Sequence, residues 1–148
     1  MANPVKARVV AHPELCRDCQ ACTLGCSLLH EGQCHLGLAR LRVEKDMARY
    51  TFGINICRHC ALPACLPACE HGAMRLDERG VVLIDDALCT RCGACAEACP
   101  FDSIYHVERE DRYVKCDLCA GRDEGPLCVE LCPVGALTLW QRRDESGG

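Results

Sequence analysis

The sequence predicts an α+β fold in which short β-hairpins and short helices wrap metal centres, and three observations predict it. Sixteen of the seventeen cysteines fall into four groups of four. The groups are Cys16, Cys19, Cys22 and Cys26; Cys57, Cys60, Cys65 and Cys69; Cys89, Cys92, Cys95 and Cys99; and Cys116, Cys119, Cys128 and Cys132. Between the groups run short apolar stretches broken by polar turns. Aromatic residues make up only 4% of the chain, so large side chains cannot fill a wide core and something else must occupy the interior.

The first element, in "ARVVAHPELC" (7–16), is a short strand leading into the first cysteine group. Residues 38–57, "LARLRVEKDMARYTFGINIC", read as strand, polar turn and strand between the first and second groups, with the basic run over 39–49 as a solvated strand and turn. After Cys69 come Gly72-Ala73, a strand over Met74–Leu76, the turn "DERG" and a second strand over Val81–Ile84. Two short apolar runs around a glycine-bearing turn form a hairpin. Residues 99–116, "CPFDSIYHVEREDRYVKC", repeat that plan, and "CPVGALTLW" (132–140) opens the unit once more. Each unit joins a cysteine group to a hairpin, at a loose period of about 30 residues.

The chemistry is clearest in "CTRCGACAEACP" (89–100). Thiols at i, i+3 and i+6 lie on a loop that can wrap three thiolates round one small centre. Cys99 sits one helical turn beyond Cys95, and Pro100 stops that helix because proline cannot continue the hydrogen-bond ladder. The fourth thiol is thereby held apart from the first three. This is the bacterial ferredoxin run C-x2-C-x2-C-x3-C-P, whose fourth cysteine ligates the other cluster of a pair. The spacing points to four [4Fe–4S] clusters on sixteen thiolates. Zinc is the competing centre. Four-thiolate zinc sites use two separated C-x-x-C pairs, and the last group, with its long gap between Cys119 and Cys128, would pass for one if read alone. In the first and third groups, three thiols at three-residue spacing crowd a single ion but suit the corners of a cubane.

A secreted disulfide scaffold fits less well. The opening residues carry no apolar stretch behind a basic tip, so no secretory leader is expected. An odd cysteine total leaves at least one thiol unpaired, and repeated C-x-x-C spacing suits a shared centre better than distant pairing. No apolar run approaches the ~18 residues that span a bilayer, so a cytoplasmic protein without direct membrane insertion is expected. The formal charge of −4 is spread over mixed acids and bases. Without a basic patch interleaved with aromatics, nucleic-acid binding is not expected.

The four groups in this order, with the x4 gap of the second and the x8 gap of the fourth, resemble the four-cluster ferredoxin-like electron-transfer subunits of molybdenum and tungsten oxidoreductases and their hydrogenase-linked relatives. The likeness runs from Cys16 to Trp140. The stretch "CSLLHEGQCHLGLARLRVEKD" (26–46) is most similar to the small ferredoxin-like subunit of tungsten aldehyde oxidoreductases. The resemblance implies two nested bacterial-ferredoxin-like modules in a single polyferredoxin unit. The outer one (8–34 with 106–140) holds the first and fourth groups, the inner one (50–105) the second and third, and a flexible tail follows over 141–148. It implies that Cys16, Cys19, Cys22 and Cys132 share one cluster, and Cys26, Cys116, Cys119 and Cys128 a second. Cys57, Cys60, Cys65 and Cys99 would share a third, and Cys69, Cys89, Cys92 and Cys95 a fourth. Some relatives replace one cysteine and hold a three-iron cluster; here none is missing. Ser27 and Glu70 stand where the pattern carries proline, which leaves the helix ends there open.

With every grouped thiol ligating iron, no iron is left open for substrate, and no Ser-His-Asp set or spaced carboxylate pair stands out. The expected role is a non-catalytic subunit relaying single electrons between a catalytic partner, a tungsten or molybdenum aldehyde oxidoreductase, and a second redox protein such as a flavin- or NAD-binding subunit. The alternatives are service to a hydrogenase, formate or carbon monoxide dehydrogenase, a free-standing ferredoxin carrier, or a cysteine-rich metal protein that moves no electrons. The two ends of such a relay differ, so contact between copies is expected head to tail, giving filaments unless the rotation closes a ring. Arg17, Arg58, His59 and Arg91 lie inside C-x-x-C loops, where they either tune and steer or are simply solvated. None of the six histidines is spaced as a ligand. Cys34, between His30 and His35, reads as a spare thiol in a loop. Cys34→Ser should therefore leave iron content and electron transfer unchanged; loss of a cluster in that variant, read by iron and sulfide analysis, would show the grouping to be wrong.

Overall fold

The structure, a computed structural model, describes residues 7–142. Eight short strands and four short helices follow in the order β1 (Ala7–Ala11), α1 (Ala21–Glu31), β2 (Leu41–Asp46), β3 (Thr51–Ile56), α2 (Cys65–Ala68), β4 (Met74–Leu76), β5 (Val82–Ile84), α3 (Ala94–Ala98), β6 (Tyr105–Val107), β7 (Arg112–Val114), α4 (Leu127–Leu131) and β8 (Leu137–Gln141). The strands form four separate two-stranded antiparallel ribbons, β1–β8, β2–β3, β4–β5 and β6–β7. Three of these are the local hairpins read from the sequence. The fourth joins the two ends of the described chain, with Val9 opposite Leu139 and Ala11 opposite Leu137. α1 packs against α4 and α2 against α3.

Two-stranded ribbons are marginal alone and need a face to pack against. Here Val9, Leu41, Ile56, Val81, Leu118 and Leu137 share one buried cluster with Cys22, Cys26, Cys116 and Cys128. Met74, Val82 and Ile104 form another, bordered by Cys65, Cys69, Cys95 and Cys99. Thiols thus occupy interior positions that aromatic rings would fill in a larger core. No helix among the described residues is long and apolar enough to cross a membrane.

Several elements differ in detail from the sequence reading. β5 starts at Val82 rather than Val81, because the Asp77 carboxylate accepts the Val81 N–H at 2.9 Å and draws that residue into the turn. α1 runs five residues beyond Cys26. Ser27, fully buried in place of a proline, donates its hydroxyl to the Leu24 carbonyl and accepts the His35 N–H, both at 3.0 Å, so the helix continues and the next loop folds back on it. The helix closes at Gly32, whose φ of 71° is the left-handed C-terminal geometry that glycine adopts without strain. At the other site lacking proline, α2 ends at Ala68, ahead of Glu70, and the Cys69 N–H bonds the Leu66 carbonyl. α3 stops before Cys99 and Pro100 as the ferredoxin run predicts.

The basic run over 39–49 is solvated only in its second half. Ala39 and Leu41 are buried, and Arg40 pairs with Asp117 at 3.3 Å and Glu31 at 4.0 Å. Of the tail expected over 141–148, Gln141 closes β8, and residues 143–148 lie outside the described residues. Leu41, 1% exposed and paired across the ribbon with Ile56, is with Leu137 the largest fully buried side chain among the described residues. Leu41→Ala should destabilise the cluster-loaded protein by ~2–5 kcal/mol, seen as loss of visible absorbance at lower denaturant. Leu62→Ala, at an exposed position, should leave that transition in place.

Candidate metal centres

The first half of each cysteine group is a loop with a common backbone device. The residue two places after the leading cysteine takes a positive φ in all four: Asp18 at 56°, His59 at 46°, Arg91 at 62° and Leu118 at 56°. This left-handed step turns the backbone N–H back towards the thiol. Asp18, His59 and Leu118 point their N–H groups at Cys16, Cys57 and Cys116 Sγ over 3.5, 3.4 and 3.4 Å. Concave runs of N–H groups of this kind favour negative charge. Non-glycine residues hold the strained conformation because the thiols and their neighbours over-determine it.

The second half of each group is a short helix that carries the fourth cysteine away from the first three. Cys95 lies in α3 and Cys99 just beyond it; Cys128 lies in α4 and Cys132 just beyond it. The thiols that the structure brings together are accordingly drawn from different groups. Cys22 stands among Cys16, Cys19 and Cys132. Cys60 and Cys65 both face Cys57 and Cys99. Cys26, Cys116, Cys119 and Cys128 line one cavity, beside His30 and Arg40. Cys69, Cys89, Cys92 and Cys95 line another, beside Met74 and Tyr113. Cys34 is exposed in the loop after α1, outside these gatherings.

Electrostatics divides the thiols. Burial pushes Cys22, Cys26 and Cys65 up to about 11 and Cys128 up to about 12, and it holds Cys116 well above the ordinary thiol range. Two thiols go the other way. Burial acts to raise Cys69, but the N–H groups of His71, Gly72, Ala73 and Met74 outweigh it and the net shift is downward. Cys132 repeats the pattern, with Val134, Gly135, Ala136 and Leu137 as donors at the same four offsets. The shared Gly-Ala of "CEHGAM" and "CPVGAL" is the sequence sign of this cage.

The fit to an iron–sulfur cluster rests on the donors. Among the described residues the cysteines are free thiols, and thiols made reluctant to ionise by burial become stable thiolates only beside a cationic centre. Two buried side-chain nitrogens, Arg40 Nε and His59 Nε2, have no hydrogen-bond partner among the described residues. Arg40 lines the cavity of Cys26, Cys116, Cys119 and Cys128, and His59 sits between Cys57 and Cys60. His59 Nδ1 accepts the Val82 N–H at 3.1 Å. Burial, reinforced by the nearby Lys115 charge, pushes its pKa down to about 3, so the ring is neutral with its proton on Nε2. Both orphan donors suit sulfur acceptors that the polypeptide does not supply.

The loop residues singled out in the sequence separate by environment. His59 is completely buried. The Arg58 guanidinium lies 3.8 Å from the Phe101 ring centre, and Arg17 hydrogen-bonds the carbonyls of Leu15 and Cys16 at 3.1 Å as a loop clasp. Sequence reasoning missed Lys115, which is buried directly before Cys116. It also missed His30, whose Nε2 lies 3.9 Å from Cys119 Sγ and 3.6 Å from Asp117. His30 stands four residues beyond Cys26 on α1, a helical spacing that could have flagged it.

Paired thiol loops, short helices and hairpins of this kind define a ferredoxin-like iron–sulfur protein. Residues 48–142 match the profile of the 4Fe-4S dicluster domain; this protein belongs to that family and carries [4Fe–4S] clusters. The polyferredoxin-like subunit of aliphatic sulfonate oxidoreductase from Pyrococcus furiosus is 35% identical over 138 residues, covering 89% of this chain and 76% of its own length. A component of the anaerobic dimethyl sulfoxide reductase of Escherichia coli is 32% identical over 138 residues, 82% of this chain and 67% of that one. A component of the tetrathionate reductase of Salmonella typhimurium is 29% identical over 87% of this chain, which spans only 55% of that protein. Among solved structures, the BamBC active site complex of benzoyl coenzyme A reductase with 1,5-dienoyl-CoA contains a polypeptide of the same fold, with a TM-score of 0.56 at 22% identity over 95% of this chain and 79% of that one.

Asn55 ties β3 to the loop that follows Cys99. Its Nδ2 donates to the Phe101 carbonyl at 2.9 Å, its Oδ1 accepts the Ser103 hydroxyl at 2.6 Å, and its backbone carbonyl accepts the Tyr105 hydroxyl at 2.9 Å. Asn55→Ala strands partly buried polar groups and should cost ~1–3 kcal/mol. The expected readout is earlier bleaching of the visible absorbance in denaturant than for the parent protein.

Proposed function

We propose that the chain is an electron-transfer subunit of an oxidoreductase complex, relaying single electrons through four [4Fe–4S] clusters. The observation that carries this reading is the exchange of fourth cysteines. Cys132 gathers with Cys16, Cys19 and Cys22, and Cys26 with Cys116, Cys119 and Cys128. Cys99 gathers with Cys57, Cys60 and Cys65, and Cys69 with Cys89, Cys92 and Cys95. Taken as ligand sets, these are two crossed pairs. The β1–β8 ribbon and the α1–α4 packing support an outer module (8–34 with 106–140), and the α2–α3 packing an inner one (50–105) nested within it.

A [4Fe–4S] cluster supplies a one-electron redox centre. The residues of this chain do the rest. Sixteen thiolates hold iron and leave no ligand position for substrate, which makes the chain a conductor. Backbone N–H groups at Cys16, Cys57, Cys69, Cys116 and Cys132 stabilise negative charge on sulfur, and burial excludes water from it. Relatives named as parts of sulfonate, sulfoxide and tetrathionate enzymes support work alongside a separate catalytic subunit. The partner we propose carries a tungsten or molybdenum cofactor and oxidises or reduces a small substrate of the aldehyde type, with a second redox protein, such as a flavin- or NAD-binding subunit, at the other end.

Anaerobically prepared protein should carry about 16 iron and 16 sulfide per chain, as four cubanes require. Electron paramagnetic resonance, with signals assigned by Cys60→Ala and Cys92→Ala, tests the crossing. Cys99→Ala should alter the signal assigned by Cys60, and Cys69→Ala the one assigned by Cys92, each leaving a three-iron cluster rather than an empty site. If Cys99→Ala and Cys92→Ala change the same signal and Cys60→Ala another, ligation is local and the nested reading fails. Stoichiometric zinc in an iron-replete preparation would end it as well.

A further inference from the structure

Among the described residues Lys115 is the buried cation, 3% exposed, and no carboxylate pairs with it. Its ammonium is held by backbone alone. It donates to the carbonyl of Val82 and, at 2.8 Å, to the carbonyl of Cys116. Val82 is fixed from its other side, since its N–H donates to His59 Nδ1. Three separate stretches therefore meet at one point: His59 from the second group, Val82 from the β4–β5 hairpin, and Lys115 directly before the fourth group.

The position is specific. The Lys115 charge acts on Cys65 of the second group and on Cys116 of the fourth. Cys57 and Cys116 stand close enough to feel each other, and the partly buried Tyr105 phenol senses both. The neighbouring charges that act most on Cys95 are those of Cys89 and Cys69, and on Cys22 those of Cys19, Cys132 and Cys16. A buried, unpaired ammonium is costly unless a negative group compensates it. A cluster held by four thiolates is anionic and becomes more so on reduction, and two such clusters would flank this lysine.

We propose that Lys115 is the shared counter-charge of two clusters, the one held by Cys57, Cys60, Cys65 and Cys99 and the one held by Cys26, Cys116, Cys119 and Cys128. This rests on the crossed ligand sets proposed above. A fixed positive charge favours the reduced state of whatever lies beside it, so Lys115 raises the reduction potential of both clusters. The crossing between the inner and outer modules then becomes a pair of electron-accepting stations tuned together by one side chain, with the other two clusters outside its reach.

The test is an anaerobic redox titration of the full cluster-loaded chain, monitored by electron paramagnetic resonance, with signals assigned by Cys60→Ala, Cys119→Ala and Cys92→Ala. Lys115→Met should shift two midpoint potentials downward, those of the Cys60 and Cys119 signals, and leave that of the Cys92 signal in place. Lys115→Arg keeps the charge and should keep both potentials near the parent values. If Lys115→Met fails to assemble clusters, Lys115→Gln keeps a donor for the carbonyls without the charge and should show the same paired shift. Assembly in the Arg variant but in neither neutral variant also supports a required cation, whereas failure of all three makes the role purely structural and overturns the proposal. A shift confined to one signal, an equal shift in all, or none overturns it too. A paired shift alongside local ligation by Cys99 would retain the lysine's role and discard the crossed sets.

Discussion

The antiparallel pairing of Ala7–Ala11 with Leu137–Gln141 is the constraint from which the placement of the first and fourth cysteine groups follows. It closes a loop of well over a hundred residues, but closure entropy grows only with the logarithm of loop length. Burial of Val9 and Leu137 and the bond from the His12 N–H to the Ala136 carbonyl at 2.7 Å work against that cost. The ribbon sets the first cysteine loop beside the turn after α4, and α1 against α4. Cys22 therefore faces Cys132, and Cys26 faces Cys128, although each pair is more than a hundred residues apart in sequence. Without this ribbon the outer groups would be two loose thiol loops on opposite ends of a chain.

Within that frame the interior is built from sulfur as much as from carbon. Cys22, Cys26, Cys116 and Cys128 belong to the main buried cluster itself. In a protein without metal such an arrangement would be poor design, because burial resists thiolate formation and small side chains bury little apolar area. With clusters in place the same burial becomes an asset. It removes water from sulfur, and metal binding supplies folding free energy that the thin ribbons cannot. Fold and cofactor are therefore one problem here, and the stability of each ribbon is inseparable from the centre it adjoins.

The hairpins, the helix stop at Cys99 and the four cysteine groups were legible in the sequence because each depends on local rules of turn chemistry, proline and spacing. The misses were made by contacts that spacing does not encode. Ser27 extends α1 through a hydroxyl that binds one carbonyl and one distant N–H. Arg40 looked solvated because it falls in a stretch rich in basic residues, yet its partners Glu31 and Asp117 come from α1 and the fourth cysteine loop. His59 and Lys115 are tied into the interior by Val82, which arrives from another hairpin, gives its N–H to His59 and offers its carbonyl to Lys115. The cysteine types were readable one by one; the polar groups around them became readable only once the ribbons had been assembled.

The four loops repeat one backbone step, but the four fourth cysteines are not equivalent. Cys69 and Cys132 are each followed by a Gly-Ala turn that aims four backbone N–H groups at the sulfur. Cys99 is followed by Pro100 and a loop tied down by Asn55, and Cys26 by more helix, where the single N–H reaching its sulfur is that of Arg40 at 3.3 Å. Backbone donors outweigh burial at Cys69 and Cys132, whereas at Cys26 burial prevails. Gly72 and Gly135, at φ of 68° and 69°, make those cages possible, since a side chain at either would force the strained left-handed conformation on an ordinary residue. A relay needs its stations at different potentials if electrons are to be directed along it. An asymmetry built into the backbone, unlike one carried by an exposed side chain, is neither screened by salt nor removed by a change of pH.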